Sequence, residues 1–332
     1  MSKKSNIIMK YLSGKLRCAE FAVTNACIAR CTFCNIWKQQ PKIFVDKDKA
    51  LVAIDRMADF GVSHMCLTGG EPLLHPHIVE FVEKASKRDI NNAMLIAAPQ
   101  LLLRDEMTKR LAAAGCDLVS ISFDSADPET LSRSRQIENL MGIMENALTA
   151  VRHDGLQSMA SVLIWNGNAD KMEAVCAKAV ELGFDYISLN YPTFSESDVY
   201  ELGGEGIDMS KESLIQALEV ATALKETRKY PIINLAGSMR NIIDYLKEPT
   251  SAKFPCRGGV RVMFLDWFFN MHPCMQLPDV LGCIHDMEES DLFLPVCNKC
   301  NMSWYRDLSA FFHGARSLPL IYEAFRTAGK FL

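Results

Sequence analysis

Thr24-Asn25-Ala26-Cys27-Ile28-Ala29-Arg30-Cys31-Thr32-Phe33-Cys34 carries three cysteines within eight residues, Cys27 to Cys34. The C-x3-C-x2-C spacing offers three thiolates from one short loop, one fewer than a cubane iron–sulfur cluster takes. A site short by one ligand leaves an iron open to something other than protein. Taken alone, the spacing also fits a fragment of a zinc site or chance. The run Phe21-Ala22-Val23-Thr24 just ahead of it reads as a β-strand, which sets the thiols at a strand's carboxyl end.

Outward from that loop, strand and helix patterns alternate six times between about Arg17 and Asn190. Met65-Cys66-Leu67-Thr68, Ala93 to Ala97, Leu118 to Phe123, Ser158 to Ile164 and Tyr186 to Leu189 read as further strands. Between them, helical apolar spacing runs over Lys47 to Phe60, His77 to Ser86, Glu106 to Ala114, Asn139 to His153 and Ala169 to Leu182. Such alternation calls for parallel strands joined by right-handed helical crossovers. Six units make a partial (β/α)6 barrel, not the closed eight-fold one. Ligands of such sheets gather at the strands' carboxyl ends, where both the cysteine loop and Gly69-Gly70-Glu71-Pro72 fall.

After Asn190 the rhythm breaks. Thr193 to Met209 reads as a Ser/Glu/Gly-rich lid or substrate loop. Helices are expected at Lys211 to Arg228, Met239 to Leu246 and Leu318 to Phe331, with short strands around Val260 to Asn270. The expected organisation is an N-terminal segment (1–16), a barrel (17–192), a loop with connecting helices (193–250) and a small cysteine-rich α+β extension (251–332).

Composition narrows the function. Apolar residues make up 49% of 332, enough for a sizeable core, and the net charge of −4 lacks the basic excess of a nucleic-acid binder. No apolar run approaches the roughly 18 residues of a membrane span, and no signal peptide is visible, so a cytoplasmic protein is expected. In that compartment twelve cysteines are read as metal or redox chemistry, not disulfides.

The cysteine trio, Phe33 just before its last member, the Gly-Gly-Glu-Pro after the second strand and Leu118-Val119-Ser120-Ile121-Ser122-Phe123-Asp124 together resemble the radical S-adenosylmethionine (SAM) superfamily. The resemblance covers about residues 17 to 190. It implies that Cys27, Cys31 and Cys34 hold a [4Fe–4S] cluster whose open iron binds SAM. It implies reductive cleavage of SAM to a 5′-deoxyadenosyl radical, with the electron from a flavodoxin- or ferredoxin-type donor. Gly69, Gly70, Glu71 and Pro72 would then line the amino end of SAM, the glycines letting backbone approach it, with Glu71 capping or orienting the loop. Ser122 and Asp124 are candidates for its ribose or carboxylate, or simply the polar face of a strand. Arg135 and Asn168 stand where relatives often carry Arg and Asn; a surface helix residue and a loop turn are the plainer readings. Ala98-Pro99-Gln100 departs from the Thr-Asn-Gly that relatives commonly show after the third strand.

A second set, Cys256, Cys274, Cys297 and Cys300, could close a cubane cluster or a structural zinc. Its surroundings are similar to the SPASM and twitch extensions of the superfamily, and the cysteine number implies one auxiliary [4Fe–4S] cluster. Cys283 is left over as a core cysteine, a substitute ligand or a catalytic thiol returning hydrogen to a substrate radical. Cys18, Cys66, Cys116 and Cys176 read as small hydrophobes. The resulting expectation is an enzyme that abstracts hydrogen from a small-molecule substrate, for dehydrogenation or epimerisation. Peptide or protein maturation is the alternative, and a non-catalytic iron–sulfur or zinc protein the rival class.

Overall fold

The computed structural model describes residues 3–192, 209–292, 297, 298 and 300–328. Helix α1 (Lys3–Leu12) leads into β1 (Arg17–Thr24). The alternation continues through α2 (Lys47–Asp59), β2 (Val62–Gly69), α3 (Ile78–Lys87), β3 (Asn91–Ile96), α4 (Met107–Ala114) and β4 (Leu118–Ser122). Two helices, α5 (Pro128–Arg135) and α6 (Leu140–His153), precede β5 (Gln157–Leu163), followed by α7 (Met172–Leu182) and β6 (Tyr186–Asn190). Beyond these lie α8 (Lys211–Thr227), α9 (Ala236–Lys247), β7 (Val262–Leu265), β8 (Asn270–His272), β9 (Gly282–Cys283), α10 (Ser303–Ser309) and α11 (Leu318–Ala328).

The nine strands form one open sheet in the order β6-β5-β4-β3-β2-β1-β7-β8-β9. All pairs from β1 to β6 are parallel, the α/β partial barrel that the alternation predicts. The cysteine-rich extension does not stand apart from it. β7 pairs in parallel with β1, Cys18 opposite Val262 and Phe21 opposite Leu265, and the antiparallel β8 and β9 continue the same sheet. Flanked on both sides, β1 is buried along its whole length.

Period-2 alternation divides the side chains. Val119, Ile121, Ala160, Val162, Ile187 and Leu189 enter the main core, shared with Ile54 and Met57 of α2, Phe81 of α3 and Met144 of α6. Facing the other way, Ser122, Ser161 and Ser188 fall in one register row across β4, β5 and β6. The inner face of the barrel therefore carries a line of hydroxyls, extended by Asn190, which donates to Ser161 Oγ at 3.0 Å.

Helix α10 packs against both β6, at one edge of the sheet, and β7, beside β1. Three of its side chains clasp the flanks. Ser303 reaches Asn190 Oδ1 (3.4 Å), Tyr305 donates to Glu20 Oε2 on β1 (2.6 Å), and Asp307 accepts from Asn234 (2.9 Å), Ser238 (2.5 Å) and Tyr191 (3.2 Å).

Differences from the expected boundaries are small and fall at ends, where hydrogen bonding frays. The unforeseen elements are α1, α5, α10 and β9, all short; α5 is mostly polar, with no apolar period to betray it. The expected loop at Thr193 to Met209 lies, apart from Met209, outside the described residues, as do the last three residues of the expected helix ending at Phe331. No described helix is long and apolar enough to cross a membrane.

Glu20 generates a test. Burial pushes its carboxyl up to about 7 from an ordinary 4.5, against the opposing pull of the Tyr305 hydrogen bond. The folded chain therefore holds a proton that the unfolded chain releases between those values. This contribution to stability is complete below about pH 4.5 and is lost as pH rises through about 7. Glu20→Gln should remove that decline, on the order of 3 kcal/mol, when chemical-unfolding midpoints are compared from pH 5 to 8. Parallel pH profiles for the two proteins would contradict the assignment.

Candidate functional site

The loop after β1 owes its shape to backbone and amide contacts, not to regular structure. Thr24 Oγ1 accepts from Ala26 N at 3.0 Å and donates to Ile43 O at 2.6 Å, while Asn25 Oδ1 accepts from Ile43 N at 2.7 Å. The Gly-Gly-Glu-Pro turn docks against the same loop, Gly70 N donating to Thr24 O and Glu71 N to Ala26 O, both at 2.7 Å. Gly69 has φ +125°, and a Cβ on either glycine would overlap the Thr24 or Ala26 carbonyl. The two glycines thus have a reason inside the protein: only bare backbone lets the second loop seat on the first.

Glu71 is fully buried. Its carboxylate accepts from Leu73 N (3.2 Å), Ala97 N and Ala98 N (both 2.8 Å), so it ties the turn after β2 to the chain leaving β3. Burial pushes its carboxyl up to about 7, against the opposing pull of those three donors. Pro72 opens a buried 3-10 turn, Pro72–Leu74, for which Glu71 is the cap. Ala98 and Pro99, in the stretch where the sequence departs from the superfamily's usual one, are held by this carboxylate or buried behind it.

Asp124, Arg135 and Asn168 form a second latch. Asp124 Oδ2 accepts from Arg135 Nε at 2.8 Å and from Nη2, and its Oδ1 accepts from Leu163 N at 2.9 Å. Asn168 Nδ2 donates to Asp124 O and Leu163 O, both at 2.7 Å, and its Oδ1 accepts from Trp165 N. Arg135 is buried, not a surface helix residue. Its Nη1 lies 3.5 Å from Cys31 Sγ, its guanidinium 5.1 Å from the centre of the Phe33 ring, and its carbonyl accepts from Arg30 N. Ser122 stands at the carboxyl end of β4, in the hydroxyl row.

The second cysteine set is assembled from three stretches. Cys256 and Cys297 bridge backbone to backbone, and Cys256, Cys274, Cys297 and Cys300 line one cavity with Met302 and Tyr305. Gly258 N donates to Cys256 Sγ (3.3 Å) and Gln276 N to Cys274 Sγ (3.4 Å). Cys283, half-buried on β9, is three strands from β1 across the sheet and is not among the residues lining that cavity. Two contributors escaped the sequence reading. Arg306 donates to Cys300 O, and Tyr305 joins the cavity wall to Glu20.

The donor sets suit soft metals. Every cysteine is a free thiol. Burial pushes Cys27 and Cys274 up to about 12 and Cys256 to about 11, so these sulfurs stay protonated until a metal claims them. An all-sulfur set selects zinc or iron–sulfur clusters over magnesium or calcium. Four thiols lining one cavity are a donor set that a structural zinc and an iron–sulfur cluster both take.

Beside Cys27 an open recess is lined by Ile28, Arg30, Trp37, Lys38, Gln40 and Lys42. Residues 25–45 contain no Asp or Glu, so this face of the loop is locally cationic in a chain of net charge −4.

Comparison with known proteins agrees with this geometry. The model of the radical SAM superfamily matches residues 21–203. The PqqA peptide cyclase of Granulibacter bethesdensis is 26% identical over 254 residues, 74% of this chain and 63% of that protein. The GTP 3′,8-cyclase of Streptomyces coelicolor is 29% identical over 171 residues, 49% of this chain and 50% of that one. The chain thus spans about half to two thirds of the length of these relatives. Among solved structures, anSMEcpe with bound AdoMet and the Kp18Cys peptide superposes with TM-score 0.63 at 14% identity, over 94% of this chain and 97% of that one. Streptococcus suis SuiB bound to S-adenosylmethionine gives TM-score 0.63 at 11% identity, over 86% and 68%. These likenesses extend the shared fold beyond the barrel, into the cysteine-rich extension.

Two substitutions test the latches. Asp124→Ala leaves the Arg135 guanidinium buried without its carboxylate and should cost about 3–5 kcal/mol in urea unfolding; a loss below about 1 kcal/mol would contradict the assigned role. Gly70→Ala should spare the fold, leaving the far-ultraviolet circular dichroism unchanged, but unseat the turn from the cysteine loop. Any iron that this loop takes up on reconstitution should then fall by about half or more relative to the parent chain.

Proposed function

The chain belongs to the radical SAM superfamily, and we propose that Cys27, Cys31 and Cys34 hold its SAM-binding [4Fe–4S] cluster. The observation that carries this is the latching of that one loop from two sides: by the Gly70 and Glu71 amides, and by the end of α5, through Arg135 Nη1 at Cys31 and the Ser134 and Arg135 carbonyls. When bound, the cluster and SAM supply one-electron cleavage of SAM to a 5′-deoxyadenosyl radical that takes hydrogen from an unactivated C–H bond. The protein's own contribution is position and exclusion. Gly69, Gly70, Glu71 and Pro72 hold the loop edge against which the amino end of SAM would lie. Arg135 brings a positive charge to the Cys31 thiolate. Ser122 is free to meet SAM or substrate, whereas the Asp124 carboxylate is already committed to Arg135 and Leu163 N.

Cys256, Cys274, Cys297 and Cys300 are read as the ligands of the auxiliary [4Fe–4S] cluster, because their four thiols line one cavity and a closed cubane takes four sulfur ligands. A centre closed by four protein ligands has no open iron for substrate and is suited to accept the electron left on a dehydrogenated substrate, so dehydrogenation would use it and a redox-neutral epimerisation would not. Arg30, Lys38 and Lys42 beside Cys27 favour an acidic flavodoxin- or ferredoxin-type donor. The row Ser122, Ser161, Ser188 and Asn190 supports a compact, polar small-molecule substrate undergoing dehydrogenation or epimerisation. A second reading, peptide modification, is favoured by the 74% of the chain that matches a peptide cyclase.

Anaerobic reconstitution tests the assignment. About eight irons per chain are expected, falling to about four in Cys31→Ala, and Cys31→Ala should form no 5′-deoxyadenosine with dithionite. Retained SAM cleavage in that variant would overturn the site. Mass spectrometry of metabolite and peptide pools, incubated with the enzyme, SAM and reductant, separates the two substrate readings by which pool loses a component.

A further inference from the structure

Arg306 is wholly buried, and its partners among the described residues are all neutral. Nε donates to the Cys300 carbonyl, Nη2 to Asn298 Oδ1 at 2.6 Å, and the guanidinium stacks 4.0 Å over the Tyr245 ring. Nη1 is buried with no hydrogen-bond partner. The adjacent Asp307 forms no ion pair with it among the described residues; its oxygens accept from Tyr191, Asn234 and Ser238. A buried cation without a counter-ion is strongly disfavoured, and arginine cannot escape by losing its proton. Something anionic must stand nearby.

A centre held by the neighbouring thiolates would meet that need. A cluster core carried by four thiolates is net anionic and gains a further negative charge on reduction. A fixed positive charge close by favours the more negative state, and net charge together with hydrogen bonds to sulfur sets the potential of such centres.

We propose that Arg306 is the built-in counter-charge of the centre formed by Cys256, Cys274, Cys297 and Cys300, and that it raises the centre's reduction potential so that it accepts an electron. The proposal rests on reading that set as a redox cluster. It makes Arg306 a positioning residue that acts through the cluster without ligating it, with Nη1 as the donor available to a cluster sulfur.

The test uses the full chain with Cys27→Ala, Cys31→Ala and Cys34→Ala, so that any iron–sulfur signal belongs to the second set. Iron, sulfide and zinc are quantified, and the potential is read by redox titration monitored by electron paramagnetic resonance. Arg306→Met should shift the reduction equilibrium at least tenfold toward the oxidised form, 59 mV for a one-electron couple. Arg306→Lys, which keeps the charge, should restore most of that shift. A variant that loses the centre with Met but keeps it with Lys also supports the charge as the active property. An unchanged potential in Arg306→Met at full iron content would overturn the proposal. So would equal loss of the centre in both variants, which would reduce Arg306 to packing on Tyr245. A parent protein that binds zinc, or no iron, would instead remove the cluster reading itself, and this proposal with it.

Discussion

A single carboxylate with three backbone amides around it governs how the strand ends of this barrel are arranged. The loops that follow β1, β2 and β3 have little regular hydrogen bonding of their own, yet each must hold its backbone still at the end of the sheet where ligands gather. Glu71 resolves this by accepting from Leu73, Ala97 and Ala98 while its own amide donates to Ala26. Charge-assisted acceptance by a buried carboxylate is stronger than an ordinary amide bond, and it replaces the water these N–H groups would otherwise need. The cysteine loop is therefore tied to the neighbouring strand ends by the protein's own hydrogen bonds, the kind of support a precisely held site needs.

The second latch extends the same logic across β4 and β5. Asp124 and Arg135 satisfy each other's charge in the interior, and the guanidinium still has a donor left for Cys31 Sγ. Asn168 uses all its polar atoms on backbone, so its contribution is to hold the β5 exit in place. Residues that sequence motifs suggest for SAM are thus largely committed to contacts within the protein that hold the strand-end loops together. Contact with a ligand and support of the residues that make the contact leave the same mark on a sequence.

What was legible follows from periodicity and from chemistry carried by single residue types. Six strand–helix alternations yield a parallel sheet, because buried parallel strands must be apolar and their crossovers amphipathic. Three cysteines in one loop announce a metal because thiols so close together have few other uses in a protein without disulfides. The attachment of β7 to β1 was not legible: a four-residue strand gives no register signal, and its partner lies more than two hundred residues away in sequence. Tyr305 and Arg306 escaped for a different reason. Their importance depends on burial beside Glu20 and Cys300, and a tyrosine or arginine in a short polar helix reads as surface until the fold is known. Arg135 was singled out by position, but its buried partners could be named only once α5 was placed.

The way α10 is tied to β6 and β1 has a thermodynamic consequence. The clasp made by Ser303, Tyr305 and Asp307 belongs to the chain segment that directly follows Cys300, so the helix and the thiol just ahead of it are ordered together. Free energy released when thiols take up a metal is folding free energy for the segment that carries them. On the proposed reading of Cys256, Cys274, Cys297 and Cys300 as metal ligands, uptake of the metal and the seating of α10 on β6 and β1 would therefore form one linked equilibrium, each strengthening the other.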